Sequence, residues 1–130
     1  MSIDYEKIPH YKYRLLSDKY ITISKSLREI QVKRPFIYLD IGMLHLIKGY
    51  AWDGCTYFPD FKKLMRASLV HDALCQLVNT LWLPKRMQRD IDLEFRRIAI
   101  EDGFNPWMAD IAYRAIRVYQ TVKGKTGCAK

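Results

Sequence analysis

The sequence predicts an α+β chain, with strands first and helices second. Two observations carry this. Between Tyr11 and Ile47 the apolar residues are rich in β-branched and aromatic types and sit in short runs with two-residue alternation. From Phe61 to Lys123 they recur at i, i+3 and i+4 instead, in three stretches punctuated by Pro84 and by Gly103 to Pro106. The expected organisation is one domain of 130 residues: a β section over 11–48, a loop over 49–60, a helical core over 61–123 and a frayed basic tail over 124–130.

Taken in order, residues 1–10 are polar and aromatic without periodicity and are expected to form a loose lead-in. Tyr11 to Leu16 alternates, Ser17-Asp18-Lys19 reads as a turn and Tyr20 to Ile23 is β-branched and aromatic, so a first hairpin is expected. Ser24 to Arg34 fits either a loop or a short helical turn. Phe36 to Leu39, a turn at Asp40-Ile41-Gly42 and a return over Met43 to Ile47 predict a second hairpin, which carries His45.

Asp60 is placed to cap a helix running from Phe61 to Thr80. Leu64, Ala67, Ser68, His71, Leu74, Cys75 and Val78 form its inward stripe, with Asp72 about 100° to one edge. Leu81 to Pro84 breaks it. The next helix, Lys85 to Asp102, carries Met87, Ile91, Phe95 and Ile98 at helical spacing and ends on Gly103. The short connection makes the two helices antiparallel. Asn105-Pro106 is an N-cap followed by proline at the first position, opening a third helix with the stripe Met108, Ile111, Ala112, Ala115, Ile116 and Tyr119.

A formal charge of +8, from 22 basic and 14 acidic residues, favours an anionic partner: a membrane surface, a nucleic acid or an acidic protein. The basic residues are scattered and no recognised nucleic-acid motif is present, which argues against the nucleic acid. Three cysteines, Cys55, Cys75 and Cys128, fit no zinc pattern and are expected to be free thiols. With no signal peptide and no apolar run near the ~18 residues of a span, the expected place is the cytoplasm of the cell that makes it.

One constellation carries chemistry. A loop with Asp53 and Gly54 precedes a helix with adjacent His71 and Asp72, and a second helix supplies Asp92. A His-Asp pair can serve a multi-histidine metal site, but only His10 and His45 remain as further ligands. The pair can also be split: the His activates water, and the Asp, pointing elsewhere, binds calcium through oxygen ligands. A general-base His needs an acceptor on its other ring nitrogen, and Asp92 is placed to be that acceptor. From spacing alone, a satisfied core histidine and a turn-forming Asp53 are favoured over the catalytic reading.

Asp53-Gly54-Cys55-Thr56, Pro59-Asp60, His71-Asp72 and Asp92-Leu93-Glu94-Phe95 resemble the secreted bacterial and fungal phospholipase A2 group over residues 50–123. The phospholipase domain of parvovirus capsids is similar. The chain as a whole resembles a family of short bacteriophage and prophage proteins, through Gly49 to Gly54, Ala67 to Leu74 and Glu101-Asp102-Gly103. The first resemblance implies a phospholipase A2-like three-helix core with His71 as base, Asp92 as its orienting partner, and Asp53, Asp72 and the Gly54 carbonyl as calcium ligands. The implied reaction is calcium-dependent hydrolysis of lipid esters.

Two positions depart from that pattern. The Tyr four residues after the His is Cys75 here, so Asp92 needs another donor, for which Tyr113 and Tyr119 are available. The Cys three residues before the His is Ser68, which removes the usual disulfide partner of Cys55. Trp52, Tyr57, Phe58 and Trp82 lie near the site in sequence; exposed, they suit an anionic lipid interface, but ordinary core is the favoured expectation for them. The competing expectation is a non-catalytic phage accessory or structural protein that binds a protein partner on the same scaffold.

Overall fold

The computed structural model describes residues 3–8, 13–24, 31–53 and 61–123. Expectations for His10, for Tyr11 and Lys12, for the Asp60 cap, for 25–30 and for the tail lie outside the described residues. The chain is α+β: among the described residues, seven strands in two antiparallel sheets precede three helices. It divides into two compact units, Ile3–Trp52 and the part from Asp53 onward.

The first unit holds β1 (Tyr5–Lys7), β2 (Tyr13–Leu15), β3 (Lys19–Thr22), β4 (Val32–Arg34), β5 (Ile37–Asp40), β6 (Met43–Leu46) and β7 (Ala51–Trp52). One sheet has the order β1-β2-β7, the other β3-β6-β5-β4. Alternation decides the faces. Ile21 pairs with Leu44, Leu44 with Leu39 and Leu39 with Val32, so one buried apolar row crosses all four strands of the larger sheet. On the opposite face the register aligns Tyr20, His45, Tyr38 and Lys33. His45 stacks on Tyr20 at 4.0 Å, and its Nε2 lies 3.1 Å from Asp18 Oδ2.

The second expected hairpin forms between β5 and β6, with Ile41 and Gly42 both at positive φ, as a two-residue mirror-image turn requires. The first does not. β2 and β3 are strands, but β2 pairs with β1 and β7, and β3 with β6. The bend at Asp18 explains this. Its carboxylate accepts the Lys48 backbone N–H at 2.7 Å and meets His45, which ties the start of β3 to β6. Leu15 is meanwhile bonded to Tyr50 and Gly49.

Three further segments differ from expectation. Tyr5–Lys7, read as lead-in, is a strand because β2 offers it an edge; Leu16 N–H also donates to the Asp4 carbonyl. Val32–Arg34 pairs with β5. Ala51–Trp52, read as loop, pairs with β2. Trp52 is therefore core rather than exposed, packed against Tyr13 at 5.5 Å and Tyr5 at 6.0 Å.

The second unit holds α1 (Met65–Asn79), α2 (Gln88–Glu101) and α3 (Pro106–Lys123), the first two entered through short 3-10 turns at Lys62–Leu64 and Lys85–Met87. Contacts fix their directions. Arg66 meets Asp102, His71 meets Asp92 and Cys75 meets Gln88, so α1 and α2 are antiparallel, as the short connection predicts. Asp92 meets Arg117 and Arg96 meets Asp110, so α2 and α3 are antiparallel as well. Asn105 caps α3, its Oδ1 accepting from the Trp107 N–H at 2.8 Å. Buried Arg66 binds Asp102 and Glu101, and the Asp102 hydrogen bond raises its already high pKa.

Both α1 and α2 end in a Schellman motif. At the end of α2, Phe104 N–H reaches the Ala99 carbonyl and Gly103 takes φ +91°. At the end of α1, Trp82 N–H reaches the Leu77 carbonyl at 2.8 Å, but the left-handed residue is Leu81, at φ +67°. The α3 stripe is also rotated from expectation. Ala109, Ala112 and Ile116 are buried, whereas Ile111 is exposed. α3 is apolar on two sides, so spacing alone could not select the covered one.

Candidate functional site

The site is built on the facing sides of α1 and α2. His71 falls on the inward stripe of α1 with Ala67 and Leu74, and Asp92 sits beside Ile91 on α2, so helical spacing turns both toward the seam. His71 is 1 % exposed and Asp92 0 %. His71 Nε2 lies 2.7 Å from Asp92 Oδ1. Facing a carboxylate oxygen, Nε2 is the donor nitrogen of this contact. The Phe95 ring meets the imidazole edge-on, with centroids 5.6 Å apart.

Asp92 has two further donors. Gln88 Nε2 reaches Oδ1 at 2.8 Å from one turn earlier on α2, and Arg117 Nη1 reaches Oδ2 at 2.6 Å from α3. These take the place expected for Tyr113 or Tyr119. Gln88 was visible in the sequence as the i−4 neighbour of Asp92, a spacing that places two side chains on one helix face. Nothing in the sequence marks Arg117, because it joins the site only through the packing of α3 on α2.

Cys75, at the position where the resemblance has Tyr, is buried one turn after His71. Its Sγ accepts from Gln88 Nε2 at 3.3 Å and lies 3.7 Å from both ring nitrogens of His71. A sulfur equidistant from the two nitrogens is off the lone-pair axis of each, so Cys75 packs on the ring and does not take the Nδ1 acceptor position. Among the described cysteines Cys75 is a free thiol; Cys55 and Cys128 lie outside the described residues.

His71, Cys75 and Asp92 are the donor types of a metal cluster. Their geometry serves hydrogen bonding. At 2.7 Å the nitrogen and oxygen are closer than two ligands of one tetrahedral ion with bonds of about 2.0–2.2 Å would stand. Arg117 also places a positive charge on the same carboxylate. Calcium, which selects oxygen, is not suited by this nitrogen and sulfur set.

The oxygen donors lie elsewhere. Asp72 is buried at the next position on α1, and its Oδ2 accepts the Asp53 backbone N–H at 3.1 Å. The contact between the start of the loop and the helix is thus made by a backbone amide, not by the Asp53 carboxylate. Gly54, Tyr57 and Phe58 lie outside the described residues. A buried carboxylate beside the opening of that loop is a donor of the type calcium takes. Trp82 is exposed and lies just beyond the end of α1.

A separate depression of about 520 Å³ lies between Phe61, Lys62, Lys63, Gly103, Phe104 and Asn105. No helix among the described residues is long and apolar enough to cross a membrane. The fold and the site define a class by geometry: strands followed by an antiparallel helix pair with a buried His–Asp dyad braced by an arginine. Comparison with protein-family models, with curated proteins and with solved structures finds no match for the chain.

Proposed function

We propose that the chain is a phage-encoded, phospholipase A2-like hydrolase that cleaves lipid esters with calcium. One observation carries the reading: a buried His71–Asp92 dyad bonded through Nε2, with the neighbouring Asp72 turned to the Asp53 loop. Nδ1 of His71 takes a proton from water as the water oxygen attacks the ester carbonyl carbon, and returns it to the leaving alkoxide oxygen as the ester C–O bond breaks, giving a fatty acid and an alcohol. Asp92 holds the tautomer and stabilises the imidazolium that results, and Gln88 and Arg117 keep the carboxylate oriented. Calcium would be held by Asp53, Asp72 and the Gly54 carbonyl, and when bound it would supply polarisation of the ester carbonyl. The net positive charge and exposed Trp82 support action at an anionic lipid surface.

The burial of His71 behind Cys75 and Phe95 favours a second reading, in which the dyad is a polar core element of a non-catalytic phage accessory protein that binds a protein partner. Two measurements separate the readings. Millimolar calcium should raise the melting temperature of the unsubstituted protein by mass action, and Asp72→Asn should abolish that rise. Fatty-acid release from phosphatidylglycerol vesicles should require calcium and vanish in His71→Ala, with its calcium-dependent rise retained. A melting curve indifferent to calcium, with no fatty acid released, establishes the accessory reading.

A further inference from the structure

α3 has two apolar faces, and only one is covered. Ala109, Ala112 and Ile116 are buried. On the other side Trp107, Ile111, Val118 and Val122 are exposed by 75, 42, 61 and 75 %. At about 100° per residue these four fall within an arc of about 60°, turned away from the covered row. Interrupted at its middle only by Arg114 and Ala115, an apolar stripe on the solvent side of a charged protein marks an interaction surface.

We propose that this stripe pairs, antiparallel, with the same stripe of a second copy of the chain. The spacing of the four residues reads the same in both directions, and its midpoint falls between Arg114 and Ala115. A two-fold axis there sets Trp107 against the second copy's Val122, and Ile111 against its Val118, as a self-complementary interface requires. Ala115 flanks the seam near the axis, where a small side chain lets two helices approach to the usual 8–10 Å.

The flanking charges favour a protein over a lipid surface. Arg114 is paired with Asp110 at 2.9 Å, Asp110 also meets Arg96, and Arg117 is committed to Asp92. The described part of the stripe therefore lacks the unpaired basic flank that an anionic bilayer selects. Arg114 meets its own symmetry mate close to the axis, and Asp110 reduces that repulsion. A covered aromatic contributes roughly 150–250 Å². Four side chains per copy thus bury less than the roughly 1,200 Å² of a standard interface, and the dimer is weak and concentration-dependent.

Sedimentation of the full chain across micromolar to millimolar concentration should show a monomer–dimer equilibrium. Ile111→Glu and Val118→Glu should each raise the dissociation constant at least about tenfold, with helical circular dichroism and melting of the monomer unchanged, since both sites are exposed. Arg114→Ala should tighten the dimer. A short thiol crosslinker should join copies of Ala115→Cys above the background of the unsubstituted protein. It should not join copies of Val122→Cys, whose α-carbons stand about 22 Å apart along the antiparallel pair. A monomer at every concentration, or a dimer indifferent to both glutamates, overturns the proposal. Equal crosslinking at both positions overturns the antiparallel arrangement. A monomer whose Trp107 emission shifts only on phosphatidylglycerol vesicles assigns the face to lipid and overturns it too.

Discussion

Removing Arg117 tests the bracing of the dyad directly. Asp92 is fully buried and accepts three hydrogen bonds, from His71, Gln88 and Arg117, of which only that from Arg117 brings a permanent charge. Arg117→Met keeps most of the side-chain stem and deletes the guanidinium. Breaking one partner of a buried pair costs about 3–5 kcal/mol, because the other charge is stranded. Arg117 is about a third exposed, and two neutral donors remain on the carboxylate, so water and those donors relieve part of the loss. The expected cost is about 2 kcal/mol, near the value of a hydrogen bond to a charged group. Urea unfolding followed by helical circular dichroism measures it. Asp92→Asn should weaken the protein on its own through His71. In the double variant Arg117→Met with Asp92→Asn, no charge is stranded, so the combined cost should be smaller than the sum by about 1–2 kcal/mol. A cost below about 0.5 kcal/mol for Arg117→Met, or strict additivity in the double variant, would refute the account of Asp92 as a buried carboxylate that depends on Arg117.

Two further outcomes follow from local geometry. Leu81 is 91 % exposed and sits at φ +67°, where a branched side chain costs about 1–2 kcal/mol, whereas Gly103 fills the same role on α2; Leu81→Gly should stabilise by about 0.5–1 kcal/mol once the greater freedom of unfolded glycine is deducted, and an unchanged or lower melting temperature would contradict this. Asp4 is lowered to about 2 by the hydrogen bond from the Lys19 ammonium, with Ser17 adding to it. A depressed folded pKa contributes stability above the unfolded value of about 4, and that contribution is lost as pH falls through about 2. The Asp18 carboxyl is lowered in the same direction by the Lys48 amide and His45. Asp4→Asn should flatten the fall in stability between pH 4 and 2 in an acid titration followed by near-ultraviolet circular dichroism, and coincident acid curves would contradict the assignment.

Much of the helical unit was legible in the sequence, because each signal there is local. Helical spacing brought His71 and Asp92 inward, Pro84 forced a short antiparallel connection, Asn105-Pro106 set the start of α3, and Gly103 closed α2. A turn or a cap is decided by a few adjacent residues, and those residues carry its physics with them. The second hairpin followed for the same reason, since Ile41 and Gly42 close it between adjacent strands. The His71–Asp92 contact needed one step more: two stripes, each readable, brought together by a short loop.

Tertiary packing decided the rest. Tyr5–Lys7 and Ala51–Trp52 are too short to show a period, and they become strands only because β2 offers an edge on each side. The partner of β3 was set by Asp18 reaching Lys48 and His45, residues about thirty positions away. Trp52 turned inward because Tyr5 and Tyr13 meet it across the sheet. α3 could not be oriented by spacing, since both of its sides are apolar, and that orientation alone delivers Arg117 to Asp92. The residues that form the dyad were thus written in the sequence, and the residue that braces it was fixed by how a helix with two apolar faces chose which one to bury.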